Sequence, residues 1–241
     1  VTNRGQVGAL SSEDFLDSDW SDYNVTAAVH MAFSRANRPF KDIASSLDFS
    51  QKVYRKLHEM KIPRIVYLSS QSVYGSISEW RNEELEPSPE IVYSMAKYAG
   101  EKLLEAEFLS DKSAQYSILR LDYVIQSQRL VSALCKNAKE TQKINLKGGK
   151  QTFSYIDETD VAKAIVSLLQ CDGGWKPVYN VGPNRMRYTL MEIAEIVKSV
   201  AENHGISNLE IELEENETEL WSGMDSSLFM RDTGWKPSMD I

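Results

Sequence analysis

The chain has 241 residues, 42% hydrophobic and 26% charged, with a formal net charge of -8. That length holds one large domain, or one domain and a small lobe, and the composition is that of a globular chain rather than a disordered one. The acidic balance argues against a nucleic-acid binder, which carries a basic face, but leaves room for an anionic small molecule in a locally positive pocket.

No apolar run is long enough to span a membrane and no signal-peptide pattern opens the chain, so the expected compartment is the cytoplasm. Cys135 and Cys171 lie far apart without metal-ligand spacing. They read as free thiols, and no metal site is expected.

Short apolar runs alternate with longer helical periods, the signature of βαβ units and a parallel sheet. Residues 25–32 predict the first strand. Ile43, Leu47, Val53 and Leu57 fall near helical spacing in a helix over 40–60. Residues 64–68 predict a strand buried on both faces, with Ser69 and Ser70 at its C-terminal end. The stretch 75–89 is polar, holds two prolines and reads as a loop. A helix follows over 92–109 and a strand over 116–125. Residues 144–156 predict two short strands around Gly148-Gly149, then come a helix over 160–169 and a strand over 178–181. Thr189-Leu-Met-Glu192 is a capping box that opens a helix to residue 203. Residues 209–213 alternate like an edge strand. The expected organisation is a cofactor-type domain over 1–126 and, over 127–241, mainly a smaller mixed α/β lobe with segments returning to the first domain.

The chemistry concentrates on Ser70 and the run Tyr93-Ser-Met-Ala-Lys97. Residues four apart share a helix face, which puts Lys97 beside Tyr93. A phenol titrates near 10 unperturbed, and a neighbouring ammonium favours the phenolate, as a general acid/base working nearer neutrality requires. Ser70 offers a hydroxyl at a strand's C-terminal end, where open α/β sheets bind ligands. The bare pattern is weak: with 11 tyrosines in the chain, chance yields about one Tyr-x-x-x-Lys, and Tyr98 to Lys102 is a second. The two tyrosines differ by roughly 140° around a helix, so both cannot face one site.

Context selects between them. The run Arg64-Ile-Val-Tyr-Leu-Ser-Ser-Gln-Ser-Val-Tyr-Gly75 resembles the strand, serines and V-Y-G of the extended short-chain dehydrogenase/reductase family, the nucleotide-sugar epimerases and dehydratases. Tyr93-Ser-Met-Ala-Lys97-Tyr-Ala-Gly-Glu-Lys-Leu-Leu104 resembles its Y-x-x-x-K helix, in a register that selects Tyr93 and Lys97. Ala28-Val-His-Met-Ala32, Ile118-Leu-Arg120, the segment from Phe153 to Ala162, Val178-Tyr-Asn-Val-Gly182 and Gly234-Trp-Lys-Pro237 fit further landmarks, in the family's order, across nearly the whole chain.

The resemblance implies a Rossmann-type doubly wound parallel sheet with a small substrate lobe, and an enzyme that binds NAD or NADP, with NAD expected ahead of NADP. Its substrate would be a nucleotide-linked sugar and its assembly a homodimer, paired through the helices over 40–60 and 92–109. Tyr93 would be the acid/base, Lys97 its modifier and the anchor of the nicotinamide ribose, and Ser70 the donor that positions the substrate oxygen. His30, Ala32 and Leu68 would line the cofactor; a packed histidine is the alternative for His30. Ser72, Tyr123 and Arg187 would meet substrate, against a turn hydroxyl for Ser72 and an exposed arginine before a helix for Arg187.

The chain also departs from the family. Gly5-Gln-Val-Gly8 has two glycines at the spacing of the phosphate-binding G-x-x-G-x-x-G, but Ser11 stands at the third and Ser-Ser-Glu-Asp follows, so this stretch reads as loop. Asn3-Arg4, taken as the end of the family's second strand, would favour NADP. About 30–60 residues of the family's opening, the length of a βα or βαβ unit, and a helix beyond Ile241 are expected outside the sequence. Tyr123 and Gln126 replace the family's Asn and Gly, which keeps open a carbonyl reductase acting on a non-sugar substrate. A non-catalytic nucleotide-binding relative is the remaining alternative.

Overall fold

The structure, a computed structural model, describes residues 10–127, 129–217 and 220–238. The described residues fall into two compact units. One takes those up to Ser69 with Pro89–Ile118 and Gly174–Pro177; the other takes Ser70–Ser88, Leu119–Gly173 and those from Val178 onward.

In the first unit, Ser11 caps the helix α1 (Ser12–Asp17) through a capping box with Asp14. The Ser-Ser-Glu-Asp run therefore opens a helix instead of continuing a loop, because serine and aspartate three apart satisfy each other's backbone donors. The glycines of 5–8 and Asn3-Arg4 lie outside the described residues. Strand β1 (Ala28–His30) is shorter than the apolar run that predicts it. It pairs in parallel with β2 (Arg64–Ser70), Val29 against Val66. Ile65, Val66 and Tyr67 are fully buried, as a central strand demands.

Two helices pack against each other here: α2 (Phe40–Glu59) and α3 (Val92–Phe108). The inner face of α2 is mostly apolar, with Ile43, Val53, Tyr54 and Leu57 buried. That of α3 is unusual in including Lys97 and Glu101 beside Leu104 and Phe108. Gly100 lets α3 approach the strand, since a Cβ there would lie 2.7 Å from the Tyr67 hydroxyl.

Strand β3 (Gln115–Leu121) ends where its predecessor in the prediction continued. The backbone N–H of Asp122 donates to Val181 O, and the chain then enters a different sheet as β4 (Tyr123–Val124). Helix α4 (Arg129–Thr141) was not predicted, although Leu130, Leu134 and Ala138 fall on one helical face.

Three short strands, in place of the two expected, lie around Gly148-Gly149. Strands β5 (Lys143–Lys147), β6 (Thr152–Phe153) and β7 (Tyr155–Ile156) all pair elsewhere. Helix α5 (Glu158–Gln170) is capped by Asp157, and β8 (Val178–Val181) follows it. Beyond lie β9 (Tyr188–Thr189), α6 (Leu190–Asn203), β10 (Glu210–Glu214) and α7 (Ser227–Thr233).

The main sheet runs β1-β2-β3-β8; the smaller pairs are β10-β5, β4-β7 and β6-β9. Leu134, Ile144, Leu146, Leu190, Ile193 and Val197 form the core of the second unit. A left-handed Gly234 ends α7 and turns Trp235 back onto Phe229, ring centroids 5.5 Å apart.

The Thr189–Glu192 capping box gives a direct test of how α6 begins. Replacing Thr189 with Ala should lower unfolding free energy by about 1 kcal/mol, read from the urea midpoint, while Thr189→Asp should stay near wild type. Equal stability of all three proteins would remove the cap from the account.

Candidate active site

Side chains of the first unit converge where β2 ends beside the opening turns of α3. Ser94 starts the helix: its hydroxyl accepts from the Ile91 N–H at 3.2 Å and donates to Ile91 O at 2.9 Å. This places Tyr93 in the first turn and Lys97 one turn later. Lys97 is only 3% exposed. Its ammonium donates to Leu68 O at 2.5 Å and lies between two ring faces, 4.5 Å from Phe33 and 4.4 Å from Tyr67. Such cation–π contacts strengthen as water is excluded. Burial pulls Lys97 down to about 7, with Glu101 pulling the other way.

Tyr93 is half-buried, with its ring edge-on to Phe33 at 6.1 Å. The spacing predicts a phenol lowered by the lysine. Instead, burial pushes Tyr93 up to about 12, because the Lys97 ammonium is directed to the Leu68 carbonyl and the two rings. The rival pair is a surface feature: Lys102 is exposed, 5.2 Å above the Tyr98 ring and bonded to Glu105 at 2.8 Å.

His30 is buried. Its Nε2 lies 2.9 Å from Ser50 Oγ and its ring stacks on Tyr67 at 5.6 Å. Burial, then the charge of Lys97, lower it to about 4. It is therefore a neutral, packed histidine at neutral pH. Ala32 is exposed beyond β1, and Leu68 contributes the carbonyl that holds Lys97.

In the second unit, Ser70 caps a 3-10 turn, Gln71–Tyr74. Its Oγ accepts from the Ser72 N–H at 3.2 Å and from Ser72 Oγ at 3.0 Å, so the two candidate hydroxyls form one cluster. Tyr74 donates to Asn180 Oδ1 at 2.9 Å, and the Arg120 guanidinium lies 4.7 Å over its ring. Tyr123 is hydrogen-bonded with Gln71 and has Phe153 and Tyr155 as ring neighbours.

Arg187 directs all three nitrogens at backbone carbonyls: Nε to Ser222, one Nη to Ser78 and the other to Glu79. It also lies 3.9 Å over the Trp80 ring. These contacts brace a loop. Gln126 bonds Asp157, the cap of α5.

Sequence reasoning missed a buried polar knot in the second unit. Arg81, 1% exposed, donates to Gly75 O and Trp221 O at 2.7 Å each and to Gly223 O at 3.3 Å. Asp122, 3% exposed, accepts from Ser154 Oγ at 2.9 Å and crowds Gly182, where a Cβ would meet its carboxylate. The available signal was a lone acid inside the apolar run after Arg120. Phe33, Tyr67 and Glu101 were missed as well.

An ammonium carries three hydrogens. Among the described residues only Leu68 O accepts one from Lys97. The described residues show no group of His, Cys, Asp and Glu able to hold a metal, and no helix long and apolar enough to cross a membrane.

A sequence profile of the NAD dependent epimerase/dehydratase family matches residues 8–182. The dTDP-D-glucose 4,6-dehydratase of Bos taurus is 23% identical over 159 residues, 64% of this chain and 44% of that protein, so the match spans less than half of the relative. Among solved structures, RMD from Pseudomonas aeruginosa complexed with NADPH superposes with a TM-score of 0.78 at 21% identity, covering 95% of this chain and 81% of that one. UDP-glucuronic acid 4-epimerase from Bacillus cereus in complex with NAD gives 0.78 at 19%, covering 94% and 74%. TunA, an NAD dependent NDP-hexosamine 5,6-dehydratase, gives 0.75 at 20%, covering 94% and 76%. At these identities the likeness shows the fold, a Rossmann-type α/β architecture.

Asp122 gives a pH test. Burial raises its carboxyl from 3.8 to about 7. A raised folded value makes the protonated form the stabilised one, so this contribution is complete below pH 3.8 and is lost as pH rises through about 7. The stability of Asp122→Asn relative to wild type should therefore increase from pH 4 to pH 8 in urea titrations. A difference independent of pH would contradict the assignment.

Proposed function

The chain belongs to the NAD dependent epimerase/dehydratase family, and from that premise we propose that it is an NAD(P)-dependent epimerase or dehydratase acting on a nucleotide-linked sugar. The observation that carries the reading is the buried Lys97 ammonium beside the first turn of α3, held by a single carbonyl and two ring faces. Its remaining donors suit the hydroxyls of a nicotinamide ribose, which a buried structural lysine would not need. The relatives support the substrate class by their own descriptions: UDP-glucuronic acid with NAD, NDP-hexosamine, and dTDP-D-glucose.

The dinucleotide, when bound, supplies the acceptor and donor of hydride. The chain's residues handle the proton and the oxygen. Tyr93 exchanges a proton with the sugar hydroxyl at the reacting carbon. Burial keeps its phenol protonated in the resting protein, where the Lys97 ammonium is turned to Leu68 O; its loss of a proton therefore depends on the Lys97 charge acting on it once the ligands are bound. Ser70 is the proposed hydrogen-bond donor to a substrate oxygen, its own lone pairs being turned to Ser72. In this reading Ala32 and Leu68 line the nicotinamide side and NAD is preferred to NADP. Ser72 and Tyr123 border the substrate, whereas Arg187 acts by bracing the Trp80 and Trp221 segments. A homodimer through α2 and α3 completes the proposal, supported by the exposed Phe40, Val92 and Met95.

A second reading, a reductase of a non-sugar carbonyl compound, is favoured by the aromatic group of Tyr123, Phe153 and Tyr155, with centroids 6.1–6.4 Å apart. A panel of UDP-, GDP- and dTDP-sugars assayed for hydride exchange separates the two. Tyr93→Phe should reduce exchange by about 10²–10⁴-fold while dinucleotide affinity stays within a few-fold of wild type. Undiminished exchange in that variant would remove Tyr93 from the chemistry, and a wild type inert on the whole panel would favour the reductase.

A further inference from the structure

We propose that Glu101 is a positioning residue for Lys97, a buried anion that keeps the ammonium charged in its slot and is itself fixed by Ser69. The inference rests on the reading that Lys97 serves the reaction. Its physical basis lies wholly in the first unit.

Glu101 has 0% exposure, and it follows Lys97 by four residues on the inner face of α3. A carboxylate and an ammonium buried one helical turn apart each offset the desolvation of the other; removing one leaves an uncompensated charge. Consecutive residues of β2 hold the two groups. Leu68 O accepts from Lys97 Nζ at 2.5 Å, and Ser69 Oγ donates to Glu101 Oε1, also at 2.5 Å. Between these rungs Gly100 leaves room for the Tyr67 hydroxyl, which approaches Lys97 O at 3.5 Å.

Among the described residues no other neighbour does the work of this anion. The groups around Lys97 are Tyr93 and Glu101 on its own helix, Tyr67 on β2, and His30 and Phe33 on or just after β1. Tyr67 and Tyr93 are pushed upward by burial and stay neutral, and His30 is lowered and stays neutral. Burial alone works against the Lys97 charge, and Glu101 is the group that favours it. Ser69 therefore matters through placement and Glu101 through charge, which makes the two separable.

The test is NMR titration of the full protein with labelled lysine side chains, the Lys97 signal being identified by its loss in Lys97→Met. In Glu101→Gln the Lys97 midpoint should fall by about one pH unit or more; in Ser69→Ala, which keeps the carboxylate, it should fall by less than half as much. An unchanged midpoint in Glu101→Gln, or equal falls in the two variants, would overturn the proposal. Should Glu101→Gln not fold, the wild type carries the test: the Glu101 carboxyl carbon should shift at the Lys97 midpoint, and absence of that inflection would equally overturn it. In the proposed sugar reaction, the alkaline limb of turnover should move down with the Lys97 midpoint. A wild type without turnover would count against the proposed function and leave the titration standing.

Discussion

Burying an ammonium costs several kcal/mol unless other groups replace its water, and the first unit is organised around that constraint. The Leu68 carbonyl, the faces of Phe33 and Tyr67 and the nearby Glu101 carboxylate are the replacements. Each imposes a condition elsewhere. Tyr67 must reach past α3, so residue 100 is glycine. Leu68 and Ser69 must present a carbonyl and a hydroxyl in sequence, so β2 keeps its strand geometry through Ser70. His30 must stay neutral beside the charge, and Ser50 and the Tyr67 ring hold it in an environment where it does.

The second unit answers a different constraint. Its connection from residue 75 to 88 contains no helix or strand beyond the bridge of Arg81 to Met224. Backbone groups in such a segment need partners of other kinds. Arg81 supplies them by donating to three carbonyls, while its own carbonyl accepts from Asn180 Nδ2 at 3.2 Å. Arg187 does the same for Ser78, Glu79 and Ser222. Asp122 is the acid near both guanidinium groups, at the point where the chain passes from β3 into β4. One buried acid thus joins the end of the main sheet to the segments that follow it.

The main helices and β2 were legible because their periods are long or their apolar runs unbroken. The choice of the Tyr93–Lys97 register rests on neighbours that match a family pattern on both sides; the structure buries Lys97 and exposes Lys102. Partner choice was not legible. A run such as 116–125 carries no mark of which sheet each half joins, so the change at Asp122 was hidden. Short strands do flank Gly148-Gly149, but their partners, β10 for β5 and β9 for β6, were not legible. The lowering expected of Tyr93 also failed, for a reason that spacing cannot convey: residues four apart share a face, but a flexible lysine turns toward whichever acceptor is best, here Leu68 O.

The most direct test of the account is titration of the full-length protein with NAD, comparing wild type with Lys97→Met. Charge-assisted hydrogen bonds contribute about 1.5–3 kcal/mol each, so the account predicts saturable binding that weakens by roughly ten- to a hundredfold in the variant. Equal affinity in the two proteins, or no binding by wild type, would contradict the claim that the buried ammonium is there to hold a cofactor.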